Sequence, residues 1–352
     1  MTTIPTYIVA TAPEAHHVGA SFIRAAPAIH VETALADVRD AARAPKWIAR
    51  VYWHLLDRRP PRVREFREAV ERLQRETSAG SLVTTGVSPI DSRGISSLKA
   101  RGVICANFAT DDPWSVGNRA RWFFRALPTY NVVFTPRRAN VADLNRLGCA
   151  RVEYLPFAYE PTVHFPEAPA PKFADRFGCD VAFIGGGDAD RVPYVDALRA
   201  GGLSVRVYGA GWERYSEWSS RWGGPVFGGD YRQAVAHARL QLCLVRRANR
   251  DGHVMRSFEL PAMRSCILAE DTPEHREIYG PPDALRVAYF SSEHEMVERA
   301  KRLVADEPLR VAMASRVFER VVERSSNTYG ARFAKIVSVL EGERARRSLR
   351  GA

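Results

Sequence analysis

The sequence predicts an α/β protein built from two doubly wound, Rossmann-like domains. Three observations carry that reading. The chain has 352 residues, and at roughly 100–200 residues per domain that length suits two domains. Short apolar runs alternate with amphipathic stretches, the signature of βα units and mostly parallel sheets, because parallel strands need crossover helices. The pattern then halts at a proline-rich stretch and restarts.

In the first half, strands are predicted at 6–10, 81–85, 102–108, 131–135 and 151–156. Helical patterns fall between them at about 15–26, 61–78, 117–126 and 137–147. The segment 156–173, PFAYEPTVHFPEAPAPKF, is too rich in proline for a helix interior and favours an extended connection. The restarted pattern gives strands at 180–186, 204–212, 241–246, 265–271 and 286–290. Its helices are at 188–202, 231–240, 255–264, 292–305 and 308–324. A final helix at roughly 328–341 follows SSNT, where Asn327 or Thr328 suits a cap. The domain division is therefore 1–160, a linker at 161–175, 176–327, and a C-terminal helix and tail at 328–352.

Hydrophobic residues make up 46% and charged residues 26%, enough apolar material for two cores and too much for a disordered chain. No apolar run approaches the ~18–20 residues of a membrane helix. The N-terminus lacks the basic start and long apolar stretch of a signal peptide. The five cysteines, Cys105, Cys149, Cys179, Cys243 and Cys266, are scattered and never form CxxC, which argues against zinc or a disulfide framework. A reducing cytoplasm fits them. GxSxG and GxxxxGK[ST] are absent, so esterase-type and P-loop chemistry fall away.

The net charge is +11. Much of it reads as solvated helix face, as in 58–76, where arginines interleave with glutamates. The last ten residues, 343–352, read as a frayed tail. A basic surface also suits an anionic partner: a nucleotide diphosphate, an acidic lipid surface or nucleic acid. Net charge does not choose among these.

The strongest local signal is 251–275, DGHVMRSFELPAMRSCILAEDTPEH. It contains Arg256-Ser257-Phe258-Glu259, a small-residue turn from Ala262 to Ser265, a strand from Cys266 to Ala269, and Asp271-Thr272-Pro273-Glu274-His275. This arrangement resembles the C-terminal domain of GT-B-fold glycosyltransferases, and in particular the CgeB-like (spore-maturation-protein-like) group. Asp251 and Glu259 match the two acids, eight positions apart, of the wider retaining GT-B signature, with Asp where Glu is usual. The resemblance runs from about 180 to 335, including Thr328, Tyr329 and Arg332, and covers the first domain thinly.

The resemblance implies two domains facing a cleft, with a C-terminal helix able to cross back to the first domain. It implies transfer of a sugar from a nucleotide diphosphate sugar to a small-molecule, glycan or glycoconjugate acceptor, with no cofactor and no metal. Glu259 suits the ribose diol. Arg256 suits the diphosphate, which a guanidinium binds in bidentate fashion. The glycines of 180–191, Gly185, Gly186 and Gly187, would face the donor, with Arg191 beside the diphosphate. Gly209 and Gly211 of VYGAGW shape a similar loop, and its Trp212 fits either the core or a stacked base. Asp251, His253 and Ser257 complete the donor set.

In the first domain, Asp111-Asp112-Pro113 follows an apolar strand, as in CgeB-like proteins, and is the favoured acid or base. The same pair also fits a helix cap. His16 and His17, after the first strand, fit either a base near the acceptor or an ordinary surface pair. Two other functions remain open. One is a non-catalytic module binding sugar nucleotides or glycans. The other is a glycosyltransferase acting on modified DNA.

Overall fold

The computed structural model describes residues 4–219 and 221–351. The chain divides into two compact units: Met1–Pro156 with Ala248–Arg250 and Tyr329–Ala352, and Phe157–Arg247 with Asp251–Thr328.

The first unit holds six strands: β1 (Thr6–Thr11), β2 (Glu32–Asp37), β3 (Ser81–Thr85), β4 (Ile104–Phe108), β5 (Val132–Thr135) and β6 (Val152–Tyr154). All pair in parallel in the order β2-β1-β3-β4-β5-β6. The central strands are apolar along their length because helices cover both faces. The helix Val63–Thr77 buries Val63, Phe66 and Val70 and turns its Arg/Glu face to solvent, with Arg64 bonded to Glu68 at 2.9 Å.

In the first unit one strand and two α-helices go beyond the sequence prediction: β2, the helix Lys46–Leu55 and the helix Ser92–Ala100. The first, ETALAD, is an edge strand with a polar face. The second, although its apolar residues recur at helical spacing, buries no residue. The third is masked by its serines and glycine, yet Asp91 caps it by accepting the Gly94 N–H at 3.0 Å.

The final helix, Tyr329–Gly351, belongs to the first unit, where Phe333 stacks on Phe22 with ring centroids 5.1 Å apart. It runs ten residues past the predicted end. The tail read as frayed is helical to Gly351, and Arg344 reaches Ser81 Oγ at 3.0 Å; Ala352 lies outside the described residues.

The second unit holds β7 (Cys179–Ile184), β8 (Val205–Tyr208), β9 (Ala238–Cys243), β10 (Ile267–Glu270) and β11 (Ala288–Phe290), parallel in the order β11-β10-β9-β7-β8. Along β7, Val181 and Phe183 enter one core while Ala182 and Ile184 enter the other, the period-two alternation of a strand covered on both faces. The proline-rich 161–175 is packed rather than loose. Glu167 accepts from Arg232 Nε at 2.5 Å and from Gln233 Nε2 at 2.9 Å, and Ala170 N–H donates to Gln233 Oε1 at 2.9 Å.

Each sheet has one topological switch point, where the chain leaves a strand in opposite directions. These are β1/β3 in the first unit and β7/β9 in the second. Ligands of open α/β sheets bind beyond the carboxyl ends of the strands at such points.

Candidate functional site

Gly185, Gly186 and Gly187 leave the carboxyl end of β7. Gly209 and Gly211 leave β8 with φ of 121° and 95°. The two loops lie backbone to backbone: Gly185 N–H donates to Tyr208 O at 2.8 Å and Gly187 N–H to Ala210 O at 2.9 Å. A Cβ on Gly209 would come 2.5 Å from Gly185 O, and one on Gly187 2.8 Å from Trp212 N. These glycines are required by the packing of the loops on each other. Gly186 differs: a Cβ there meets Ala210 O at an ordinary 3.5 Å. Trp212 is core, edge-on to Phe183 and Trp218, with its Nε1 donating to Gly185 O at 2.8 Å.

Three arginines gather at this strand end. Arg191, at the start of the helix Val192–Ala200, is 8% exposed. Its Nη1 donates to Gly186 O at 3.1 Å and lies 3.5 Å from Asp188, while its buried Nε has no hydrogen-bond partner among the described residues. Burial, with Arg246 and Arg256 nearby, pulls its pKa below the usual guanidinium value, and Asp188 opposes that shift. Arg246 Nε sits 3.0 Å from the same Asp188 carboxylate. Arg256 Nε donates to Ile184 O at 2.9 Å and lies 3.9 Å from Glu259. A buried cation with an unmade hydrogen bond, beside two other arginines, suits an anion.

Glu259 is buried on the helix Arg256–Ala262. Tyr231 OH donates to its Oε2 at 2.9 Å, and His164 Nε2 lies 3.7 Å from Oε1. Burial first, and then the Glu259 charge, raise Tyr231 well above its ordinary value, so it stays a donor. Asp251, half-buried, follows the turn after β9 and donates its N–H to Arg246 O at 3.2 Å.

Two members of the expected donor set are turned inward. His253 has no exposed side-chain surface: Nε2 accepts the Phe157 N–H at 3.2 Å and Nδ1 pairs with Glu274. Both ring nitrogens are engaged, so neither is left for a donor. Ser257 is fully buried, accepts the Val254 N–H at 3.0 Å and meets His275 Nε2 at 2.8 Å. His275 Nδ1 donates to Glu270 O at 2.7 Å, which leaves Nε2 to accept the Ser257 proton. Burial pushes His275 down to about 4. This Ser–His pair is a structural clasp, closed to substrate.

In the first unit, Asp111 and Asp112 follow β4. Asp112 is 1% exposed; Arg250 binds its two oxygens at 2.7 and 3.0 Å, and Trp114 N–H donates to it at 3.0 Å. Arg250 also reaches Asp143 at 2.6 Å and Asn140 at 2.8 Å. Asp112 is thus a turn cap and an arginine clamp rather than an available base. Asp111 is half-buried beside Gly86 at the end of β3 and has no hydrogen-bond or ion-pair partner among the described residues. His16 and His17 are both exposed after β1, with ring centroids 4.4 Å apart. His17 Nε2 lies 3.8 Å from Glu14, and burial and His16 lower its pKa.

Sequence reasoning missed Arg246, Arg250, Tyr231 and His164. The run VRRANRD after β9 was a visible signal for the two arginines. Nothing in the sequence pairs Tyr231 and His164 with Glu259. Among the described residues no group of three or more His, Cys, Asp or Glu is placed to hold a metal ion.

Comparison with known proteins agrees with this architecture. Residues 191–338 match the family described as glycosyl transferase-like. No curated protein sequence matches the chain. Among solved structures, sucrose-phosphate synthase from Thermosynechococcus elongatus is 10% identical with a TM-score of 0.67, over 99% of this chain and 100% of that one. The trehalose 6-phosphate synthase of Burkholderia multivorans is 11% identical with a TM-score of 0.63, over 99% of each chain. Anabaena HepE in complex with UDP and glucose is 10% identical with a TM-score of 0.63, over 97% of this chain and 100% of that one. The chain therefore has the GT-B fold of two parallel-stranded Rossmann-like units, and its residues 191–338 match the glycosyl transferase-like family.

Proposed function

We propose that this protein is a glycosyltransferase of the CgeB-like group that binds a nucleotide diphosphate sugar on its second unit and transfers the sugar to an acceptor hydroxyl. The observation that carries the reading is Arg191: a buried guanidinium with an unpartnered Nε at the glycine-bearing end of β7, next to the sheet's switch point. Arg191, Arg246 and Arg256 receive the diphosphate, and Gly186 lets it approach the backbone. Glu259 and Asp251 hold ribose and sugar hydroxyls. HepE, a structural neighbour, binds UDP and glucose, and the family match spans most of the second unit.

The acceptor side belongs to the first unit, where Asp111 is the general base and His17 the second candidate. The three arginines offset the charge on the leaving diphosphate, so the reaction needs no metal. The five cysteines are all free, which suits a cytoplasmic protein.

The test is a thermal-shift screen with UDP, GDP, dTDP and their sugars, followed by product analysis with the sugar donor that binds. A ligand at ~100 times its dissociation constant stabilises by roughly 2.7 kcal/mol. Sugar transfer undiminished by EDTA supports the full reading. Binding without turnover on any acceptor would leave a sugar-nucleotide-binding module instead.

A further inference from the structure

The helix Lys46–Leu55 of the first unit has no buried residue, although half of it is large and apolar. Trp47, Trp53 and Leu55 are 69%, 55% and 76% exposed, and Leu56 follows at 47%. Isolated exposed apolar side chains are ordinary, but these form a pattern. Trp47, Val51 and Leu55 recur at i, i+4 and i+8 and so share one stripe. Lys46, Arg50 and His54 recur at the same spacing in the stripe alongside. Arg58 stacks over the Trp53 ring at 5.3 Å and bonds Val116 O at 2.5 Å, which sets Val116, 83% exposed, beside the same patch.

We propose that this helix is a membrane-surface anchor, seating its Trp47–Val51–Leu55 stripe among the headgroups of an anionic lipid bilayer. Charge selects the occupant. The helix carries Lys46 and Arg50 and no acid, with Arg58 beside it, whereas Arg43, Arg59, Arg62 and Arg64 are each paired with a carboxylate. A second copy of the chain would bring Arg50 against Arg50 across a two-fold axis, which like charges oppose. Nucleic acid would use the arginines but leave Val51 and Leu55 without a role. A bilayer surface uses both: apolar side chains enter the acyl boundary, tryptophan sits at the interface, and flanking cations meet lipid phosphates. No helix among the described residues is long and apolar enough to cross a membrane, so the helix lies flat on the surface. The inference does not depend on the donor site.

The test is vesicle flotation of the full chain with phosphatidylcholine vesicles, alone or containing about a third phosphatidylglycerol. The wild-type protein floats with the anionic vesicles and is released by high salt. Each lost cation weakens partitioning about fivefold, so Lys46→Gln with Arg50→Gln costs roughly 25-fold. Trp47→Ser with Val51→Ser and Leu55→Ser costs at least about tenfold. Both variants melt like wild type because none of these side chains is buried. Any of three outcomes overturns the proposal. One is wild-type protein that ignores anionic vesicles. Another is a triple variant that floats as wild type does. The third is a wild-type dimer by light scattering that the triple variant dissolves, with no vesicle binding, which would make the face a contact between copies.

Discussion

Asp112 holds Arg250 through two hydrogen bonds and caps the turn at Trp114, so Asp112→Ala removes a structural clamp. Arg250 is half-exposed, which keeps the cost modest, about 1–2 kcal/mol by urea denaturation. Lost activity in that variant reports a loosened first unit. Asp111 has no partner to lose among the described residues. Asp111→Asn should leave the melting temperature unchanged and lower transfer about 10²–10⁴-fold, the usual loss of general-base help. Wild-type turnover in Asp111→Asn alongside a dead His17→Ala would hand the role to the histidine. Glu259 needs the same care. Glu259→Ala strands the buried Tyr231 hydroxyl and costs about 1–3 kcal/mol of stability. Glu259→Gln keeps an acceptor for Tyr231, so it should fold like wild type while binding the donor less tightly. Equal donor affinity in calorimetry would remove Glu259 from the ribose.

Among the secondary elements, the two glycine loops separate packing from binding. Gly209→Ala places a Cβ against Gly185 O at a φ that L-residues rarely adopt, and should cost at least about 1–3 kcal/mol of stability. Gly186→Ala meets only an ordinary contact, so it should unfold at the wild-type denaturant concentration while weakening diphosphate binding. If both variants bind as wild type does, the loops are scaffold alone. The same elements show what the sequence made legible. Strands such as β4, ICANF, are buried from end to end and announce themselves by composition. The Arg256–Glu259 and Asp271–His275 segments could be found because their chemistry is contiguous in the chain. The edge strand β2 was missed because its core face is only Ala34 and Ala36, too small to stand out, and the helix Lys46–Leu55 because it follows β2 with no buried residue to anchor it. The inward turn of His253 and Ser257 was hidden for another reason: their partners, Glu274 and His275, come from the next helix, Pro273–Tyr279, and only folding brings them together.

For the whole molecule, buried histidines set the acid limit of stability. Burial lowers His275 from 6.5 to about 4. The unfolded chain therefore takes up a proton that the folded protein refuses between those values. Stability is full above about pH 6.5 and falls as the pH drops toward 4, by roughly 3 kcal/mol for this group. His164, also lowered by burial, acts in the same direction. Urea denaturation at about pH 7 and about pH 5 should show the loss, and His275→Asn should flatten it. A pH-independent midpoint in the wild type would show that these rings are not held neutral. We propose that the carboxyl end of β7 is a diphosphate site built around Arg191. The most direct test of this claim is calorimetric titration of UDP, GDP and dTDP into wild type and Arg191→Met. One of them should bind the wild type, and Arg191→Met should bind it roughly 10- to 100-fold more weakly with its unliganded melting temperature no lower. No binding by any of the three, or equal affinity in the two proteins, would contradict the claim.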